Sequence, residues 1–431
     1  MRRFALVPPL VCLAILAWSL LSSKPQGDSV SGPAGAGNQL QSLVVSKPLR
    51  YGNLLIFPVS SKVSKNQDRF VTLDEGLKTG TVEIFEIGAD GNRVNNAQNE
   101  PGESQQRVAD TEVQNQLQDL VQQVRTASMD VDAEVNRLMV VNKSGKPLYL
   151  MPGEVIIGGS QDRTIAEETI IASSDKPVPL DVYCVEQGRW ASRTIAETSE
   201  ILERAFLASV DLEDVSLPKL AEQATRGKFV ASAGSLSKAS RLAVQDSKDQ
   251  SAVWERIAGA NTMRIAGANT MSSVNFSGGT IVGLVSTGAF TANYVDQNVL
   301  KQLEPYIDKL RKPISKRPKI VGVIVAINGK IESVDVFEST PLFRKLWPKL
   351  LKSYALDAVA VADNTEAKKT CTVADAKSFL KESLQANVEE RTKTTGGLVV
   401  TKRASDNNIV SFSFGGGLVG FGGVHASAFS K

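Results

Sequence analysis

The stretch from Val135 to Trp190 constrains the fold most. Short apolar runs follow one another at Leu138–Asn142, Leu148–Met151, Glu154–Gly158, Thr164–Ile171 and Val178–Val185, separated by turn clusters such as 143–147, Pro152-Gly153 and 173–177. These runs read as strands, and the connections between them are too short to hold a crossover helix. The strands therefore pair antiparallel, which points to a β-sandwich or roll rather than a parallel sheet. Upstream, Asn53–Val59 reads as a strand and Val82–Ile87 alternates like a half-buried one. Between them Thr72–Glu75 forms a capping box that opens a short helix, and Gly80 ends it.

The pattern changes after Trp190. Residues 191–260 are rich in Ala, Ser, Lys and Glu and read as a helical, partly exposed connector. The octapeptide Arg256–Met263 recurs at once as Arg264–Met271, too short a repeat for a solenoid, and reads as a duplication tolerated in a surface loop. A second compact region begins near Gln297. Its basic segment 309–319 contains Pro313 and Pro318 and reads as a solvated linker. Ile320–Ala326 and Ile331–Phe337 flank Asn328-Gly329, a strong hairpin signal. Ser339-Thr340-Pro341 opens a helix with Phe343, Leu346, Trp347, Leu350, Leu351 and Tyr354 on its apolar face, and Pro348 is expected to kink it. A further helix is expected over 372–386, and the Gly-rich tail 398–429 returns to strand. The fold class is α+β. Its parts are a leader over 1–23, a flexible linker over 24–47, a β-rich region over 48–190, a helical or loop connector over 191–296 and an α+β region over 297–431.

The leader carries a short basic start, Met1-Arg2-Arg3, then an uncharged, mostly apolar run from Phe4 to Leu21. This is the pattern of an export signal, with an uncleaved N-terminal anchor as the alternative. The chain is expected to be exported, whether periplasmic, secreted or anchored, and to touch a membrane only through this segment. Lys+Arg 49 against Asp+Glu 46 leaves a net charge of +3, which gives no footprint for nucleic acid. Outside the leader only Cys184 and Cys371 remain. Cys184 reads as a small buried hydrophobe, and a disulfide between the two stays open. The polar, Asn- and Gln-rich stretch from Asn92 to about Gln106 leads into Val108–Val124, which reads as an amphipathic helix on an inserted loop.

The densest polar cluster is Gly158, Gly159, Ser160, Gln161, Asp162 and Arg163, preceded by Glu154. Paired glycines let backbone N–H groups approach an anion, and Arg163 could grip phosphate or carboxylate bidentately. A second group, Glu186, Gly188, Arg189 and Trp190, closes the β-rich stretch. If the two turns meet, Arg163 and Arg189 share one cleft and Trp190 offers a stacking face. Glu154, Asp162 and Glu186 are then the candidate catalytic carboxylates, and Gly158, Gly159, Gln161, Arg163, Arg189, Trp190 and His425 the candidate ligand-binding residues. The alternative is that Asp162–Arg163 and Glu186–Arg189 are ion pairs that stabilise their own turns. The three carboxylates suit Mg or Ca, whereas one histidine in the whole chain, His425, makes zinc a poor fit. His425 itself reads either as a core residue satisfied by a backbone carbonyl or as a pocket residue titrating near neutral pH.

Several strings together resemble a known family: GEVIIGGSQDR (153–163), VYCVEQGRW (182–190), QSAVW (250–254), VGVIVAINGKIESVDVFES (321–339), LWPKLLKSYALDA (346–358) and VHASAF (424–429). They look like the ADP-ribosylglycohydrolase and rhodanese/phosphatase-superfamily-associated protein domain. That resemblance spans about Asn53 to Phe429. It implies a bacterial domain linked to NAD and ADP-ribose metabolism by genomic association, with its polar positions on Glu154, Gln161, Asp162, Arg163, Glu186, Arg189 and His425. Two functions are expected from the turns, the leader and the composition. One is an exported protein binding or hydrolysing a nucleotide-sugar or ADP-ribose-like phosphorylated small molecule. The other is a non-catalytic envelope binding or scaffolding protein.

Overall fold

The computed structural model describes residues 42–63, 67–87, 136–189, 191–207, 216–269, 288–362, 371–415 and 423–431, with side chains from 260 to 269 excluded. The leader, most of the linker, the Gln-rich segment and Trp190 lie outside the described residues. Among those described, no helix is long and apolar enough to cross a membrane.

The strands are β1 Leu43–Val45, β2 Leu49–Tyr51, β3 Leu54–Ser61, β4 Val71–Thr72, β5 Val82–Glu86, β6 Arg137–Asn142, β7 Leu148–Leu150, β8 Glu154–Gly158, β9 Arg163–Ile165, β10 Thr169–Ile171, β11 Ser174–Cys184, β12 Lys228–Ser235, β13 Ile320–Ile327, β14 Lys330–Phe337, β15 Asn387–Lys393, β16 Val399–Ala404, β17 Ile409–Phe414 and β18 His425–Ser430. The helices are α1 Leu73–Thr79, α2 Ile195–Leu207, α3 Leu217–Thr225, α4 Lys238–Leu242, α5 Gln250–Asn269, α6 Ala292–Val295, α7 Gln297–Ser315, α8 Thr340–Ala360 and α9 Val373–Gln385.

The fold is α+β, and five strands of the β-rich region close with β12 into a barrel in the order β11-β6-β5-β12-β8-β9. Alternation is what fills it. Val82 and Ile84 on β5, Leu138 and Val140 on β6, and Leu180 and Val182 on β11 share one face and meet Ile156 and Phe229 inside. A nine-stranded sheet, β1-β3-β13-β14-β18-β17-β16-β15 with β2 beside β3, forms the second body of strands. Its central strand β13 is buried along its whole length. Ile320, Val323, Val325 and Ile327 join the core that includes α8, whereas Val321, Ile324 and Ala326 join the core that includes Ala376, Phe379 and Leu380 of α9.

Local signals decide several boundaries. Thr72 and Glu75 form the capping box of α1, and Gly80 ends it at φ 67°. Asn328 and Gly329 both take positive φ, 50° and 76°, as a two-residue hairpin with right-handed strand twist requires. Other segments differ from the sequence reading. The connector over 191–296 contributes β12, a full barrel strand, because Phe229, Val230, Ala231 and Ala233 find partners in both neighbouring strands and helices. Residues 309–315 of the basic segment are the end of α7, not a linker. Pro305 and Pro313 sit inside that helix, and Leu303, Tyr306, Leu310 and Ile314 keep a buried stripe at helical spacing. Over its described residues, 256–269, the octapeptide repeat runs along α5 rather than in a loop.

Gly158 shows how tightly β8 meets β12. Its φ is 148°, and an added Cβ would lie 2.1 Å from the Lys228 carbonyl oxygen. Gly158→Ala is expected to destabilise the fold by about 2–3 kcal/mol through strain and displacement of β12. Urea unfolding of the variant checks this; a loss below about 0.5 kcal/mol would contradict the packing described.

Candidate functional site

The two turns singled out in the sequence do meet, because β9 pairs with β11 and sets Arg163 opposite Cys184. Their charges, however, are spent on each other. Asp162 and Glu186, both essentially inaccessible, are bridged by Arg193 from the segment just before α2. Arg193 donates to Asp162 Oδ1 and Oδ2, each at 2.8 Å, and to Glu186 Oε2 at 2.8 Å. Arg189 donates to Glu186 Oε2 at 2.7 Å and to the Gly159 carbonyl at 3.1 Å. Thr291 adds a hydroxyl donor to Asp162 Oδ2 at 2.7 Å. Burial alone would raise the Asp162 pKa, but the Arg193 and Arg189 charges outweigh it and carry it down to about 2. This cluster clasps the barrel to the α2 and α6 segments.

The paired glycines also act as expected for an anion turn, with the anion supplied by the chain. The Ser160 N–H donates to Glu86 Oε1 at 2.8 Å, and the Ser160 hydroxyl donates to the same oxygen. A Cβ on Gly159, whose φ is 57°, would lie 2.6 Å from that oxygen. Arg163 donates to Gln161 Oε1 at 3.0 Å, and Gln161 Nε2 donates to the Glu186 carbonyl at 3.1 Å. The turns therefore form internal ion pairs and hydrogen bonds rather than an open phosphate grip. Sequence reasoning missed Arg193, Thr291 and Glu86; only Arg193, three residues past Trp190, was near enough to be found.

Glu154 belongs to a different group. It is fully buried, accepts from the Met151 N–H at 2.8 Å and bonds the Lys349 ammonium of α8. Lys349 also reaches Asp74 at 3.0 Å. Burial pushes the Glu154 carboxyl up, with the Lys349 charge opposing it. Because Glu154 pairs with Lys349, it does not join Asp162 and Glu186 as a ligand set for Mg or Ca. Among the described residues no group of three or more His, Cys, Asp or Glu side chains could hold a metal ion. Cys184 and Cys371 are free thiols, the former buried.

His425 is buried on β18, and carboxylates satisfy it rather than a backbone carbonyl. Its Nδ1 lies 2.8 Å from Glu168 Oε1 and its Nε2 lies 3.1 Å from Asp335 Oδ1. Phe337 stacks on the ring at 4.3 Å. Behind it Arg241 donates to both Asp335 oxygens at 3.1 and 2.7 Å, and the Tyr354 hydroxyl donates to Asp335 Oδ2. In front, the Tyr149 hydroxyl donates to Glu168. Burial disfavours the imidazolium, yet the Glu168 and Asp335 charges overcome it and lift the His425 pKa to about 9. The Asp335 carboxyl is held far below its usual range against burial, chiefly by Arg241. His425 is thus an ion in the core, not a neutral-pH titrator.

This chain of charges leads outward to a cleft. Glu168 and its neighbour Glu167 line a cavity of about 460 Å³, together with Tyr183, Gln245, Lys248 and Phe412. That volume falls in the ~300–1,000 Å³ range of small-molecule sites. Gln245 is 8% exposed, and its Nε2 has no hydrogen-bond partner. It is presented by a single π-helical turn over Ala243–Ser247, between α4 and α5, and Lys248 closes that turn at φ 50°. Such turns are uncommon and occur often at functional sites. Glu167 accepts from the Thr395 N–H and hydroxyl at 2.9 and 3.2 Å, and burial raises its carboxyl pKa. Nothing in the local sequence of Glu168 or Gln245 marks them, since strands and helices far apart bring them together.

No curated protein and no solved structure matches the chain. One family model does, over residues 42–429, which takes in the barrel, the large sheet, the clasp and the cleft. The chain belongs to ARPP-1, the ARG and Rhodanese-Phosphatase-superfamily-associated Protein domain family.

Proposed function

We propose that this chain is an exported binding protein that seats a small polar ligand in the cleft above Glu168. The observation that carries the reading is Gln245, a buried amide with one atom unsatisfied at a cavity of ligand size. Such a group costs roughly 1–3 kcal/mol if nothing meets it. Export draws its support from the basic start and the uncharged run of the leader.

Calorimetric titration of the purified chain with a panel of sugars, nucleotide-sugars and ADP-ribose tests the binding role. Gln245→Leu is expected to weaken any ligand at least tenfold, about 1.4 kcal/mol, while leaving thermal unfolding intact. Unchanged affinity in that variant would remove the cleft from the binding role. Export is checked separately, by following a reporter fused after residue 40 in cell fractions.

A second reading keeps hydrolysis of a nucleotide-sugar or ADP-ribose-like phosphorylated ligand. It draws on the Glu168–His425 pair, which holds a carboxylate at the cleft as a candidate general base. In that case Glu168→Gln abolishes turnover and spares binding.

A further inference from the structure

The charge pattern of the cleft narrows the ligand class, an inference that rests on the binding role proposed above. Among the described residues the lining holds four carboxylates, Glu167, Glu168, Asp181 and Glu390, against three cations, Arg137, Lys248 and Lys402. The cations are already engaged. Lys248 pairs with Glu390 at 2.8 Å, Arg137 with Asp181 at 3.3 Å, and Lys402 with Asp246 at 2.6 Å. A phosphate entering here would compete with these carboxylates for each cation and would sit beside four acids, and that like-charge contact opposes binding.

The buried floor asks for something else. Glu168 offers an acceptor, and Gln245 offers an unsatisfied amide atom. Ser427 Oγ meets the other amide atom of Gln245 at 3.4 Å and can serve as donor or acceptor there. Either orientation of the amide therefore leaves one atom in need of a partner. A hydroxyl both donates and accepts, so one ligand hydroxyl can satisfy Gln245 in either orientation while another donates to Glu168. Tyr183 and Phe412 supply aromatic lining for the apolar C–H face of a ring. We infer that the cleft takes a neutral, hydroxyl-rich ligand of the saccharide class and disfavours phosphorylated ones.

The test titrates the full-length chain with N-acetylglucosamine, chitobiose and maltose on one arm. UDP-N-acetylglucosamine, ADP-ribose and inorganic phosphate form the other arm. Each probe is measured with the wild type, Gln245→Leu and Gln245→Glu. The expected result is binding of at least one neutral saccharide, at least tenfold tighter than any phosphorylated probe. That binding should be insensitive to salt between 50 and 500 mM (roughly one decade of ionic strength) and should fall tenfold or more in Gln245→Leu. Tighter binding of a phosphorylated probe, lost in Gln245→Leu, would overturn the ligand class and leave the cleft standing as a site. Binding indifferent to both Gln245 variants, or no binding by any probe, would overturn the cleft reading together with this one.

Discussion

Arg193→Met is expected to lower the stability of the chain by roughly 3–5 kcal/mol. The wild-type guanidinium makes three bonds of 2.8 Å to two carboxylates that are almost wholly shielded from water. Without it, Arg189 still reaches Glu186 at 2.7 Å but lies 3.5 Å from Asp162. Two buried negative charges then lose the cation that bridges them. The penalty comes from leaving an ion uncompensated, not from the net worth of the pair. It follows that Asp162→Asn on the Arg193→Met background should recover part of the loss, although Asp162→Asn alone is destabilising. Urea unfolding of the four proteins in this cycle measures it. A loss under about 1 kcal/mol for Arg193→Met would mean that the clasp carries no weight.

The second large effect is on pH. His425 has a folded pKa of about 9 against 6.5 for the free side chain, so its protonated form is favoured by folding. A raised pKa contributes stability that is fully present below about pH 6.5 and is lost as pH climbs through about 9. The linkage is on the order of 3 kcal/mol. The Asp335 carboxyl has the opposite sign. Its depressed pKa adds stability present above its ordinary value of 3.8 and lost on acidification. A stability plateau is therefore expected between the two, with the alkaline decline assigned to His425. His425→Gln should remove the decline in unfolding free energy between pH about 6.5 and about 9 that the wild type shows. If both proteins decline in parallel, the imidazolium is not bound between its two carboxylates.

Much of the architecture was legible in the residues because it is decided locally. The Thr72–Glu75 capping box, the Asn328-Gly329 hairpin and the β8–β9 pairing each depend on neighbours within a few positions. The misses have one physical cause. The β12 strand sits in Ala- and Ser-rich sequence that has no strong preference of its own and becomes a strand because β5 and β8 offer edges. Pro313 and Pro318 suggested an open linker, yet the buried stripe from Leu303 to Ile314 carries α7 through Pro313.

The polar centres divide the same way. The meeting of Asp162, Glu186 and Arg189 could be inferred from two turns, but what those groups bind could not. Arg193, Glu86 and Thr291 take up the charges and donors that a ligand was expected to use. Glu168 and His425 are 257 positions apart, and no spacing rule connects them.

The large sheet interleaves distant parts of the polypeptide. β3 from the start of the described chain lies beside β13, and β18 is wedged between β14 and β17. Assembly must therefore close very long loops before the central strands are rewarded with partners, a topology that folds slowly. A nascent polypeptide lacking residues 425–430 has an open seam along β14 and β17, two adhesive edges, and no imidazolium to neutralise Glu168 and Asp335. Holding such an intermediate apart from its neighbours is a task for a chaperone, and shortened versions of this protein are expected in inclusion bodies.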